Sequence, residues 1–255
     1  MKKKNILISL LLLSIAFFLS NCTRRISDER YDEAWSQVPA ILEKIVPPEF
    51  PDLEINVIEY GAVADLNMNS QPAIQKVIDT CAAMGGGKLI IPAGEYLLNG
   101  PLHLQSNINL HISEGATLFF GSNPNDYLPV VEVRWEGTRC LNYSPLIYAY
   151  EKENIAITGK GTIDGQQQKF WQLWKLIQDN DKVRLRTMGK NLVPLEERVF
   201  GKGHFLRPTL IEPYKCKNIL IEGVTVKNSP FWTIHPVFCT NVTVRNVNVQ
   251  FSINT

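Results

Sequence analysis

From Ile55 onward, apolar residues alternate with polar ones in short runs, each closed by Gly or Asn. Alternation with a period of two predicts strands that bury one face. The runs also repeat. Cys216–Val226 aligns with Cys239–Val249 at an offset of 23 residues, placing Asn218 over Asn241 and Ile219, Ile221, Val224 and Val226 over Val242, Val244, Val247 and Val249. Asn154–Ile163 carries the same pattern, and Asn107–Leu118 carries it again 47 residues earlier, a spacing read as about two periods. Two short strands joined by a bend cannot bury their inward face alone. Stacked in register, they bury Ile and Val in columns and satisfy strand edges through the next coil. One asparagine per coil predicts a ladder of side-chain amides at the bend. A leucine-rich repeat would need a regular leucine framework, which is absent. The expected fold is all-β, a right-handed parallel β-helix over residues 51–255.

Two stretches break the strand texture. Ala73, Ile74, Val77, Ile78 and Cys81 make a one-sided stripe that predicts a helix over Gln71–Met84, ended by Gly85–Gly87. Lys169–Gln178 predicts a helical insertion, with Phe170, Trp171 and Trp174 packing against the body. Ahead of the repeat, residues 23–50 are polar and then Pro-rich. They read as a tether or lead-in with a short helix around Tyr31–Ile45.

The first residues read as an address. Lys2, Lys3 and Lys4 precede an apolar run, Ile6–Leu19, interrupted only by Ser9 and Ser14. The run is shorter than the roughly 20 residues of a membrane span and has the flanks of a secretory signal peptide. It closes on Leu19-Ser20-Asn21-Cys22, which resembles a bacterial lipobox with Cys22 as the lipidated residue. Residues 1–22 are therefore expected to be a lipoprotein signal peptide. The protein is expected to be exported, as an outer-membrane lipoprotein or in the periplasm, touching the membrane only through its lipid. The formal net charge is +1, and about −2 without residues 1–22, so charge predicts no nucleic-acid partner. Cys81, Cys140, Cys216 and Cys239 are even in number, which leaves both disulfides and buried thiols open.

A more specific likeness lies in the order of short motifs. Glu59-Tyr60-Gly61-Ala62-Val63-Ala64-Asp65 and Gly85-Gly86-Gly87-Lys88-Leu89-Ile90-Ile91-Pro92-Ala93-Gly94 form an opening common to many β-helix proteins. Arg134-Trp135-Glu136-Gly137, Asn142–Ala149, Asn154–Gly165, Arg207-Pro208, Asn228–Pro236 and Asn254-Thr255 follow in sequence. Together they resemble glycoside hydrolase family 28, the polygalacturonases, and especially bacterial exo-acting members. The resemblance runs from about Ile55 to the C-terminus. It implies hydrolysis of α-1,4-galacturonosidic bonds in pectin with inversion, a reaction that needs two carboxyl groups roughly 6.5–9.5 Å apart. It also implies that the first catalytic aspartate follows directly after Asn254-Thr255. The chain is therefore expected to be truncated at its C-terminus, to contain none of the catalytic aspartates and to be inactive by itself. Gly201-Lys202-Gly203-His204 is set aside as a counterpart of the family's Gly-His-Gly, because it precedes the relevant coil.

What remains for this chain is the sugar cleft. Galacturonate is anionic, and residues 166–207 carry nine Lys or Arg against four Asp or Glu, which suits a cleft wall or a solvated loop. Substrate contact is expected at Arg134, Trp135, Arg207, Trp232, His235 and Asn254, through stacking of indole on sugar and hydrogen bonding to hydroxyl or carboxylate. Asp164, before Gly165, reads as a turn former, and His103 and His111 read as structural. No metal site or cofactor is expected. Two other readings stay open: a non-catalytic β-helix that binds acidic polysaccharide, and a β-helix polysaccharide lyase, which would need Ca²⁺-binding aspartates.

Overall fold

The computed structural model describes the backbone of residues 28–251 and the side chains of residues 30–251. The expected signal peptide, Cys22, and Asn254-Thr255 lie outside the described residues. The chain divides at Val46/Pro47. In the part before this point, the expected lead-in helix is two helices, α1 (Asp28–Ser36) and α2 (Val38–Leu42), with Tyr31, Trp35, Ile41 and Leu42 exposed. Among the described residues no helix is long and apolar enough to cross a membrane.

From Pro47 the body is a parallel β-helix, built coil by coil. The first coil contributes β1 (Glu54–Asn56), followed by helix α3 (Gln71–Ala83), which buries Ile74, Val77, Ile78 and Cys81. The second holds β2 (Gly87–Ile91), β3 (Gly94–Leu98) and β4 (Leu102–His103). The third holds β5 (Ile108–Ile112) and β6 (Ala116–Phe120), then a hairpin of β7 (Val131–Trp135) and β8 (Thr138–Asn142), then β9 (Ile147–Tyr150). In the fourth, β10 (Glu153–Gly159) and β11 (Thr162–Asp164) lead into an insertion. It carries α4 (Trp171–Ile177), α5 (Asp179–Lys190) and β12 (Val199–Phe200), and the coil resumes at β13 (Ile211–Tyr214). The fifth holds β14 (Lys217–Glu222), β15 (Thr225–Lys227) and bridging residues Ile234 and Val237. The sixth holds β16 (Thr240–Arg245) and β17 (Asn248–Gln250).

These strands form three parallel sheets, β1-β2-β5-β10-β14-β16, β17-β15-β11-β6-β3 and β13-β9-β4, while β12-β8-β7 makes a small outer sheet. The period-two pattern explains the register. Leu89, Leu110, Ile157, Ile221 and Val244 pair in one column, and Tyr96, Leu118, Ile163, Val226 and Val249 in another. All but the last member of each column are buried.

The amide ladder is present. Asn154 Nδ2 donates to Asn107 Oδ1 at 2.9 Å, Asn218 to Asn154 at 3.0 Å, and Asn241 to Asn218 at 2.9 Å. All four asparagines adopt left-handed backbone, a conformation in which Asn is strongly enriched among non-glycine residues. The ladder corrects the reading of the 47-residue offset as two periods. Asn107 and Asn154 are direct neighbours, and β5 pairs with β10. The offset is one coil lengthened by the β7–β8 hairpin.

The insertion is also larger than its expected single helix, because α5 continues the chain after a break at Gln178. Trp171 and Trp174 are buried against the body as expected. The four cysteines are free. Cys81, Cys140 and Cys216 are buried and Cys239 half-buried, and burial pushes the Cys81 and Cys140 thiols up.

Candidate functional site

The corner between the second and third sheets gathers most of the residues expected to touch substrate. After β15, the chain turns through Asn228–Thr233 before rejoining the third sheet at Ile234. Phe231 lies at the centre of a row of rings. Its ring stacks on Trp135 at 4.7 Å with 6° between planes, and on Trp232 at 5.4 Å with 14°. Trp232 in turn meets His235 edge-on at 4.2 Å. The Arg207 guanidinium sits 5.2 Å from the Phe231 ring centroid, donates to Pro230 O at 2.8 Å, and is tied to the insertion through Gln178 Oε1 at 3.0 Å. Burial pushes Arg207 below its ordinary value, partly offset by the Glu136 charge, and a guanidinium remains cationic in proteins. Trp135 donates its indole N–H to Arg207 O at 3.1 Å. Trp135 is buried, whereas Trp232 is 41% exposed and offers its surface to solvent.

Behind this row stands a buried carboxylate that sequence reasoning missed. Glu212, 1% exposed, accepts from Thr209 Oγ1 at 2.6 Å and from the Arg134 backbone N–H at 3.2 Å, and lies 3.3 Å from His235 Nδ1. A proton on Nδ1 shared with Glu212 leaves Nε2 for a ligand. The one available signal was a charge inside an otherwise apolar strand, Ile211-Glu212-Pro213-Tyr214. Phe231 and Thr209 were missed too, because only the fold brings them to Arg207 and Glu212.

Arg134 is placed differently from its neighbours. Its backbone joins Glu212, but its guanidinium turns to Gly137 O at 3.0 Å and lies 5.3 Å from the Phe238 ring centroid, outside the aromatic row. Asp164 is a turn former, as expected. Its Oδ1 accepts from Gln166 N and Asn228 Nδ2, both at 2.9 Å, and the side chain is buried. His103 bonds Ser144 Oγ and His111 bonds Thr158 Oγ1, each at 2.9 Å, and burial pushes both imidazoles down. Among the described residues no group of three or more His, Cys, Asp or Glu could hold a metal ion. The row therefore offers an indole face, one fixed cation and one oriented imidazole along a single corner.

Comparison with known proteins gives this corner a context. A family model described as rhamnogalacturonase A/epimerase, pectate lyase-like, matches residues 54–112. A polygalacturonase of Ralstonia solanacearum is 32% identical over 194 residues, covering 71% of this chain and 34% of the relative. The crystal structure of a hyperthermoactive exopolygalacturonase from Thermotoga maritima is 42% identical with a TM-score of 0.80, covering 84% of this chain and 50% of that one. The chain is a family 28-like protein. A probable polygalacturonase of Vitis vinifera adds 27% identity over 203 residues, 76% of this chain and 36% of the relative. The family 28-like chain thus spans between a third and a half of the length of these relatives. Its parallel β-helix is the fold shared with the Thermotoga enzyme.

Proposed function

We propose that the whole protein hydrolyses α-1,4-galacturonosidic bonds in polygalacturonate, and that the described residues supply part of its sugar-binding cleft. One observation carries this reading: the Trp135–Phe231–Trp232 row with Arg207 on it and His235 at its end. A pyranose presents C–H groups on one face and hydroxyls at its rim. An exposed indole takes the face, while the imidazole Nε2 accepts from a hydroxyl. The Arg207 charge favours a uronate over a neutral sugar. Glu212 and Asp164 are buried and hydrogen-bonded within the protein, and Glu136, whose charge acts on Arg207, is paired with Arg186. The reading therefore gives them supporting roles and takes the acid and base of the inverting reaction from other carboxylates. The names of the Ralstonia, Vitis and Thermotoga relatives support the substrate class.

Calorimetric titration of the 255-residue chain with trigalacturonate and with the neutral galactose trimer tests the binding half. Uronate binding at least about tenfold tighter, weakened by salt, is expected. Equal affinity for the two trimers overturns the acidic substrate. For the whole protein, reducing ends released from polygalacturonate measure the activity. The same reading places the protein outside the cytoplasm, held by a lipid on Cys22. Cys22→Ser is expected to move it from the membrane fraction to the soluble one.

A further inference from the structure

Two of the four free cysteines meet at the corner where the third sheet passes into the first. Cys216 follows β13, and Cys239 stands 23 residues later at the same place on the next coil. Paired residues bracket them. Tyr214 bridges Val237 on one side, and Lys217 pairs with Thr240 on the other, with the Thr240 N–H donating to Cys216 O at 3.0 Å. The residue before each, Lys215 and Phe238, has a left-handed φ of 53°. Matching backbones aim the two side chains the same way. Cys216 Sγ lies 3.3 Å from Tyr214 O and 3.4 Å from Ala149 O, and Cys239 Sγ lies 3.3 Å from Val237 O and 3.2 Å from Pro213 O. Ala149 and Pro213 are themselves partners on adjacent coils, so the two thiols repeat one pose a coil apart. Facing residues on neighbouring parallel strands are roughly 4.8 Å apart, inside the Cα range of about 4.4–6.8 Å that a disulfide spans.

The two thiols are unequal. Cys216 is buried, whereas Cys239 is half-buried and open to a reagent from solvent. A hydrogen bond between them pulls Cys239 down to about 7 and, together with burial, pushes Cys216 up. Cys239 is therefore the thiolate nucleophile near neutral pH, and Cys216 is its proton-bearing neighbour. The other two cysteines lack such a partner. Cys81 lies on helix α3, and Cys140 faces Val133 across the hairpin.

We propose that Cys216 and Cys239 are a disulfide-forming site, closed by exchange with an external disulfide, which ties the fifth coil to the sixth. The Cys239 thiolate attacks one sulfur of the oxidant, whose S–S bond breaks and releases a thiolate. Cys216 gives its proton to that thiolate and attacks Cys239 Sγ, which breaks the mixed disulfide. The second leaving thiolate takes from water the proton that Cys239 had lost. The protein thus loses two electrons and two protons, and the oxidant, a glutathione-type or protein disulfide, gains them as two thiols. The bond closes residues 216–239 into a covalent ring that carries Phe231, Trp232 and His235, fixing much of the aromatic row to the next coil. Only the source of the oxidant rests on the reading that places the protein outside the cytoplasm.

The test uses the 255-residue chain carrying Cys22→Ser, alone and with Cys216→Ala or Cys239→Ser. The folded protein is equilibrated with oxidised glutathione, unfolded in urea with iodoacetamide, and mapped by mass spectrometry. A peptide linking Cys216 to Cys239 is expected, with Cys81 and Cys140 alkylated. Oxidation is expected to raise the urea midpoint of the parent chain and of neither variant. Before oxidation, iodoacetamide at pH 7 is expected to modify Cys239 about fivefold or more faster in the parent than in Cys216→Ala, which lacks the hydrogen-bond donor. Glutathione held on Cys239 with no linked peptide overturns the site, as do links to Cys81 or Cys140. Linkage without a rise in midpoint overturns the tie between coils, and an equal alkylation rate overturns Cys239 as the attacking thiol. Cells quenched in acid before alkylation test the oxidant's source. A reduced pair there, with a linked pair in vitro, overturns the placement outside the cytoplasm and leaves the site standing.

Discussion

The two corners of the β-helix that flank its second sheet could hardly differ more. At the corner between the first and second sheets, each coil from the second onward turns within a few residues: 92–93, 113–115, 160–161, 223–224 and 246–247. At the corner between the second and third sheets, the connections run from 99–101 to 121–146 and 165–210, and they carry the hairpin, the helical insertion, most of the aromatic row and an open groove between 122–125 and 202–205. The tight corner has no room to vary. A Cβ on Gly159 would stand 2.0 Å from Ile112 O, and one on Gly223 2.4 Å from Gly159 O, so successive coils touch backbone to backbone. At the wide corner such contact holds where the chain leaves the second sheet, as at Gly165, whose added Cβ would stand 2.7 Å from Asn228 O, and the loops lengthen beyond that point. Stability is built at one corner and recognition at the other, and each can be altered without the other.

Substitutions can break this division, in order of expected effect. Gly159→Val forces a branched side chain into positive φ and into the preceding coil's carbonyl, Ile112 O. It should cost about 3 kcal/mol or more, read as a fall in the urea unfolding midpoint. Glu212→Ala, inside β13 of the third sheet, should cost about 2–3 kcal/mol. It leaves Thr209, His235 and the Arg134 N–H without their shared acceptor, and it should weaken uronate binding as His235 loses its orientation. Asn154→Ala removes two rungs of the amide ladder at a left-handed position, for about 1–2 kcal/mol, while Asn154→Gly keeps the backbone and should cost less. Trp232→Ala should shift stability by no more than about 0.5 kcal/mol, since the side chain is exposed, yet reduce sugar affinity about tenfold by calorimetry. A large stability loss in Trp232→Ala would erase the distinction between the corners.

The hairpin offers a gentler test, through acid. Burial pushes the Glu132 carboxyl up, but hydrogen bonds from Tyr214, Arg139 and Tyr150 together outweigh it and hold the group below its ordinary value. Tyr214 donates at 2.7 Å and Tyr150 at 3.1 Å, so the anion fastens β7 to the third sheet. A depressed carboxyl contributes stability above the ordinary glutamate range and loses it as pH falls through that range and below. Tyr214→Phe should therefore flatten the acid limb of the stability profile, measured as unfolding midpoint against pH.

Much of the frame was legible in the chain. The columns through Leu110 and Ile157, the α3 stripe and the Asn ladder each rest on a local pattern that repeats, and repetition is what stacked coils require. Asp164 was legible as a turn former because an Asx bond needs only its nearest neighbours. The second half of the insertion, α5, was not, since half of Asp179–Lys190 is charged and only Val183, Leu185 and Met188 are apolar, too few to set a period. Nor did a period of 23 residues reveal that Asn107 and Asn154 are neighbours, because an inserted hairpin changes separation along the chain but not register.

The amino-acid sequence alone determined that short strands must stack in coils, with Ile and Val inside and asparagines aligned at the bend. Strand alternation and turn chemistry are properties of adjacent residues, so they can be read without coordinates. Only the tertiary structure decided which coils are neighbours. It also decided that Glu212 stands behind His235 and takes the Arg134 N–H, and that Asp181 holds the backbone at Phe205. Those contacts join residues from about 20 to nearly 80 positions apart, and no local pattern encodes them. They follow from where the loops of the wide corner fold back once the coils have stacked.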